Sequence, residues 1–149
     1  MTNSPAPSDS QISEKNYISE QLSLLAELSR DFSASLDISA TLLHAVDRIT
    51  KYLGAEGGAL FLLQNENTQL RCEACVGETE ITGIELSSDH GIVGRCVQQN
   101  IGEIVKDVSK DPSFDGSVDE QTGHITKSIL CAPLSVNDEK IGAIELINK

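Results

Sequence analysis

The chain has 149 residues, a formal net charge of −12, 39% hydrophobic residues and only 3% aromatic ones. That is enough for one domain with an ordinary core, and no apolar run approaches the roughly 18 residues that a spanning helix needs. The acidic balance disfavours nucleic acid and anionic membrane as partners, since both require a basic footprint.

Residues 1–12 (MTNSPAPSDSQI) have little to bury and predict a disordered tail. They contain neither the basic nor the apolar segment of a secretory signal, so a cytoplasmic location is expected. From about Glu14 to Leu36 the pattern is helical: Ile18, Leu22, Leu25, Leu28 and Phe32 recur three or four apart. Leu24 and Leu36 widen this stripe. It serves either packing on its own domain or pairing with a second copy of the chain. Leu36-Asp37 predicts a break, with Asp37 as N-cap of a second helix over Ile38 to Leu53. Leu42, Leu43, Val46, Ile49 and Leu53 form its inner face, and Gly54 is its C′ residue.

Ala59 to Leu63 is a continuous apolar run, the mark of a central strand covered on both faces. Asn65-Glu66-Asn67-Thr68 predicts a hairpin turn, and Gln69 to Val76 the returning strand. A short strand follows near Ile84–Leu86, then a helix from Ile92 to Gln99 that ends at Asn100. The free N–H groups at that helix start suit an anion, while Gly91 and Gly94 equally suit close packing on a sheet. Glu103 to Asp107 predicts an edge strand.

Asp111-Pro112 is a turn signal, because proline pushes the residue before it out of the helical region. Ser117 and Glu120 have the spacing of a capping box, and Gly123 suits the helix exit. Thr126 to Leu134 predicts a buried strand with Pro133 at its frayed end. Asn137-Asp138-Glu139 turns the chain into a last strand, Lys140 to Ile147. Consecutive hairpins predict a mostly antiparallel sheet.

Cys72 and Cys75 form a CxxC on a predicted strand, where three-residue spacing sends side chains to opposite faces. With Cys96 and Cys131 they are expected to be buried or half-buried free thiols, not metal ligands. Glu145 lies in IGAIELI, on the face shared by Ile141, Ala143 and Ile147. A carboxylate there is costly unless paired. It either faces a cavity with Thr126 and Ser128 or sits at the rim beside Lys127 or Lys140. Nucleophile elbows, zinc-protease motifs, P-loops and dinucleotide fingerprints are absent, and His44, His90 and His124 fall on separate elements. No catalytic function is expected.

Asp107, Asp111-Pro112-x-Phe114, Val118-Asp119, Thr122-Gly123 and Ile129-Leu130-Cys131-x-Pro133 occur in that order, followed by Ile141-Gly142-x-x-Glu145-Leu146-x-Asn148-Lys149. The ordered set resembles a GAF domain, most like the regulatory GAF domains of cyclic-nucleotide phosphodiesterases and cyclases. The resemblance implies an α+β fold. Its antiparallel five- or six-stranded sheet carries long helices on one face and short helices and loops on the other. It implies a ligand site at Ile92, Val93, Asp119, Thr122, Thr126 and Glu145, with cAMP or cGMP as candidate ligand. Ile92-Val93 would face the cyclic phosphate, and Asp119 and Thr126 the base or ribose. Two positions depart from the nucleotide-binding pattern: Ala59 stands where relatives carry serine, and Asp115 where some carry an aromatic. A carboxylate at 115 would repel a phosphate. The Cys-His dipeptide of bilin-binding relatives is absent.

The expected organisation is a tail over residues 1–12 and a GAF domain over 13–149 lacking its C-terminal helix, as in a fragment of a longer protein. The expected role is a sensory domain that binds a small molecule, forms a homodimer through its N-terminal helix and acts on a downstream output domain. The alternatives are a ligand-free dimerisation module and a thiol redox sensor using Cys72 or Cys75.

Overall fold

The computed structural model describes residues 4–6 and 8–149. The chain divides into two compact units, residues 1–38 and 39–149. Part of the tail expected over residues 1–12 (residues 1–3 and 7) lies outside the described residues.

Helix α1 runs from Asp9 to Leu53 without interruption, so the break predicted at Leu36-Asp37 does not occur. Nothing between Pro7 and Gly54 is glycine or proline, and an interior aspartate costs well under about 1 kcal/mol of helix propensity. The helix also starts earlier than expected, and for a local reason. Ser8 Oγ accepts from the Gln11 N–H at 3.4 Å, and Gln11 Oε1 accepts from the Ser8 N–H at 3.2 Å. This is a capping box inside the stretch read as tail. Within residues 9–38 the stripe Ile18, Leu22, Leu25, Leu28, Phe32 and Leu36 is exposed.

In residues 39–149 a six-stranded antiparallel sheet has the order β3-β2-β1-β6-β5-β4. Its strands are β1 (Gly57–Gln64), β2 (Gln69–Val76), β3 (Glu85–Ser87), β4 (Glu103–Val105), β5 (Ile129–Val136) and β6 (Glu139–Ile147). β1 is central and buried through its first five residues, as its unbroken apolar run predicts. Asn65, Glu66 and Asn67 in the β1–β2 turn have positive φ, and so do Asn137 and Asp138 in the β5–β6 turn. Apart from Glu66, these are asparagine and aspartate, which tolerate the left-handed region.

The last turns of α1 cover one sheet face, where Val46 packs with Leu60 and Ala74. The approach is close: a Cβ on Gly58 would lie 2.2 Å from Thr50 Oγ1. On the other face α2 (Gly91–Gln99) buries Ile92, Val93, Cys96 and Val97 against Phe61, Cys72 and Cys131. Gly94 sits so near the Ser88 carbonyl that a Cβ would meet it at 3.0 Å, which accounts for that glycine by packing.

Three local predictions need correction. α3 (Ser117–Thr122) has Gly116 at its N-cap, and the Asp115 carboxylate accepts from the Ser117 N–H at 2.9 Å. The capping box read from Ser117 and Glu120 is therefore replaced by an Asx turn. Gly123 does end α3, with φ 73°. β5 begins at Ile129, so Thr126 and Ser128 belong to the preceding loop. Pro133 lies within β5, opposite Ala143. It is tolerated because β4 pairs only as far as Cys131, leaving the outer edge of β5 free beyond that point.

The third correction concerns the cysteines. The β1–β2 register jumps from Leu60↔Ala74 to Phe61↔Cys72, so Glu73 is the extra residue of a β-bulge. The bulge reverses the alternation and puts Cys72 and Cys75 on the same face, in one core cluster. Burial, with Cys75 adjacent, pushes the Cys72 thiol up to about 12. All four cysteines are free and buried.

Arg95 on α2 fastens the short elements together. Its Nη1 and Nη2 donate to the two Asp111 oxygens at 3.0 and 2.7 Å, and its Nε donates to Glu103 at 2.9 Å. Asp111 Oδ1 also accepts from the Ser113 N–H at 2.9 Å, which shapes the turn leading to Phe114.

Gly142 is the tightest point of the β1–β6 pair, where an added Cβ would lie 1.9 Å from the Phe61 carbonyl oxygen. Gly142→Ala is expected to lower stability by about 2–3 kcal/mol, because the obstacle is backbone. Gly54→Ala has open space and only a positive φ to maintain, which costs about 1 kcal/mol. Urea unfolding of the two variants checks the order.

Candidate functional site

A cavity of about 190 Å³ lies on the α2 face of the sheet. That is smaller than the roughly 300–1,000 Å³ of most ligand clefts. All six residues singled out from the sequence line it: Ile92, Val93, Asp119, Thr122, Thr126 and Glu145. Ser128 does not. β6 supplies Glu145, the first turn of α2 supplies Ile92 and Val93, α3 supplies Asp119 and Thr122, and the loop before β5 supplies Thr126. Phe61, Phe114, Ile129 and Ile147 add apolar surface.

Several of these side chains are already engaged. Asp119 accepts from the Thr126 N–H and from Thr126 Oγ1, both at 2.8 Å, so its two oxygens hold the loop before β5 onto α3. The Thr122 hydroxyl donates to the Val118 carbonyl at 2.9 Å and accepts from the His124 N–H at 3.3 Å.

Glu145 is different. Its strand partners are Ala59 on β1 and Cys131 on β5, neither of which can neutralise it. Lys140 instead donates to the Gln98 carbonyl at 2.6 Å. Among the described residues no hydrogen bond or ion pair reaches the Glu145 carboxyl. The side chain keeps partial accessibility because it faces the cavity, yet protein surrounds it. That burial, with the Asp119 carboxylate nearby, raises its pKa to about 7. Of the two positions left open by the sequence, cavity and rim, the structure has it in the cavity.

Asn148 is a site-forming residue that the sequence reading did not assign. It follows β6 with φ 55°, a conformation asparagine tolerates. Its Oδ1 accepts from the Lys127 N–H at 2.7 Å and the Ser128 N–H at 3.3 Å. Its Nδ2 donates to the Ile125 carbonyl and to Glu56, both at 2.9 Å. One amide thus binds the loop before β5 to the start of β1. The available signal was an asparagine directly after a buried strand.

Charge in the lining is one-sided. Glu56, Glu78, Asp115, Asp119 and Glu145 contribute carboxyl groups, and no lysine or arginine is present among the described lining residues. Asp115 stands beside Gly91 at the start of α2: a Cβ on Gly91 would lie 3.6 Å from the Asp115 Cβ. The positive end of that helix dipole therefore already faces an acid.

Residues 35–149 match the sequence profile of the GAF domain, which covers most of the chain, and the chain belongs to that family. It is 26% identical over 129 residues to a probable 3',5'-cyclic phosphodiesterase, pde-5, of Caenorhabditis elegans. The match takes in 79% of this chain but only 18% of that protein. Among solved structures it resembles the GAF domain of a Coxiella burnetii phosphoenolpyruvate-protein phosphotransferase, with TM-score 0.68 and 17% identity over 85% of this chain and 76% of that one. The GAF domain of the Acinetobacter phosphoenolpyruvate-protein phosphotransferase gives 0.66 and 21%, over 87% and 77%. A free methionine-R-sulfoxide reductase of Thermoplasma acidophilum gives 0.64 and 20%, over 76% of each chain. The fold is therefore shared by the GAF domains of two phosphotransferases and by a methionine sulfoxide reductase.

Glu145 generates a prediction about pH. Its folded pKa is raised, so the native state binds the extra proton between about pH 4.5 and 7. Stability from this group is full below that window and is lost as pH rises through it, by about 3 kcal/mol in all. Glu145→Gln is expected to remove the loss, so that variant and parent agree near pH 5 and the variant is more stable at pH 8. Urea midpoints measured at the two pH values decide it.

Proposed function

We propose that this is a non-catalytic sensory GAF domain of a signalling protein, cytoplasmic, which binds a small molecule in the cavity under α2 and acts on an output domain. The observation that carries the reading is Glu145, a half-buried carboxyl without a protein partner among the described residues that lines a partly open cavity. An unpaired buried carboxyl is expensive to keep, and a ligand that bonds it recovers the cost. The roles proposed for Asp119, Thr122, Thr126, Ile92 and Val93 are to border the ligand. For Asp119 and Thr126 the first duty is to hold the wall. Cyclic nucleotides enter as test ligands because the C. elegans relative carries the name of a cyclic phosphodiesterase. The absence of lysine and arginine from the described lining argues against a phosphate there.

The cavity is tested by thermal shift against a library of metabolites that includes cAMP and cGMP. At least one compound is expected to raise the melting temperature of the parent and to lose its effect in Ala59→Phe, where a ring fills the space beside Glu145. Equal responses in both proteins would remove the cavity from the proposal. A library without effect on either would favour the ligand-free dimerisation module.

Dimerisation through α1 is the second part of the proposal. Ile18, Leu22, Leu25, Phe32 and Leu36 are each at least half exposed on an uninterrupted run far longer than most globular helices. Sedimentation is expected to show a dimer for the parent and a monomer for a Leu22→Glu, Leu25→Glu variant.

A further inference from the structure

The wall of the cavity narrows the ligand class, and this step rests on the ligand-binding reading above. We infer that the ligand is an organic cation, a protonated amine or amidinium on an apolar body, and not a phosphate ester. Four observations carry it. Glu145 has no protein partner among the described residues and faces the space. The neighbouring Asp119 accepts only from neutral groups of Thr126, so nothing cancels its charge. The helix start that could hold a phosphate has Asp115 beside it, where a Cβ on Gly91 would lie 3.6 Å from the Asp115 Cβ, and the Asp115 carboxylate accepts from the Ser117 N–H. No lysine or arginine among the described lining residues offsets these acids.

The two histidines of the lining do not alter this balance. His90 Nδ1 is 2.7 Å from an Asp89 oxygen on the exposed side, and His124 Nε2 is 3.3 Å from Asn148 Nδ2. A cation bonded to Glu145 gains a charge-assisted hydrogen bond to a carboxyl that protein largely surrounds. Phe61, Phe114, Ile129 and Ile147 meet its apolar part. An anion in the same position would face carboxylates from three elements at once.

The experiment is calorimetry on the full chain at pH 8, with benzamidine, tyramine, benzoate and cyclic GMP as probes. Benzamidine or tyramine is expected to bind, and benzoate and cyclic GMP are not. Glu145→Gln is expected to weaken the cation by about tenfold or more. Glu66→Gln, in the exposed β1–β2 turn, should leave it unchanged, and circular dichroism confirms that both variants are folded. Binding of benzoate or cyclic GMP with both cations silent overturns the inference and leaves the cavity as a ligand site. Cation binding that survives Glu145→Gln overturns it too, as does silence from all four probes. In that last case the Ala59→Phe comparison decides separately whether the cavity binds anything.

Discussion

The cavity exists because a segment without strand pairing is held still. Residues 123–128 leave α3 and reach β5 with no ladder along their own length, so their backbone polar groups need other partners. Three side chains supply them, the Thr122 hydroxyl by accepting from the His124 N–H. Asp119 takes the Thr126 N–H, and Asn148 takes the N–H groups of Lys127 and Ser128 and bonds the Ile125 carbonyl. The Asn148 backbone N–H reaches Ser128 O as well, at 3.0 Å. If these ties were lost, the loop would fall inward or swing out, and the space beside Glu145 would close or flood. Arg95 does the same work on the opposite side, holding the turn that carries Phe114.

Much of this was legible in the sequence. The central strand announced itself because a residue run buried on both faces has no choice but to be apolar, and Ala59 to Leu63 is. The hairpin turns were legible because asparagine and aspartate are among the few residues that accept positive φ. Glu145 could be singled out because alternation along β6 put a carboxylate where only apolar groups belong. What could not be read depended on tertiary choices. The Glu73 bulge leaves the hydrophobic pattern of β2 intact on either side, yet it moves Cys72 to the face of Cys75. The Ser117–Glu120 spacing was a true capping signal that lost to Asp115, which stands two residues before Ser117 and directly after Phe114. The Ser8–Gln11 box went unread because its surroundings looked like tail. An aspartate after leucine was taken as a helix stop when neither glycine nor proline was there to enforce one.

The cysteine pair shows how the same geometry serves packing before chemistry. Cys75 Sγ accepts from the Ile81 N–H at 3.3 Å and donates to Glu80 at 3.2 Å, so the thiol organises the loop between β2 and β3. Cys72 lies beneath it in the core, and burial keeps that thiol protonated. A thiol held as the neutral form is a weak nucleophile. Cys75 lines the cavity and Cys72 packs in the core, so the bulge that joins the two favours packing over the redox sensor weighed from the sequence.

Glu145 links stability to binding through one quantity. Holding the carboxyl in the fold costs free energy as pH rises from about 4.5 to 7, so most of that cost is already present at neutral pH. A ligand that stabilises the ionised form cancels a penalty that the empty domain carries and the unfolded chain does not. Such a site needs no large area to be sensitive. The smallness of the cavity is then consistent with its chemistry: a compact cation bonded to one buried carboxyl changes the energy of the domain more than a larger neutral body resting on the same apolar wall. A phosphate there would face carboxyl groups with no lysine or arginine among the described lining residues to offset them.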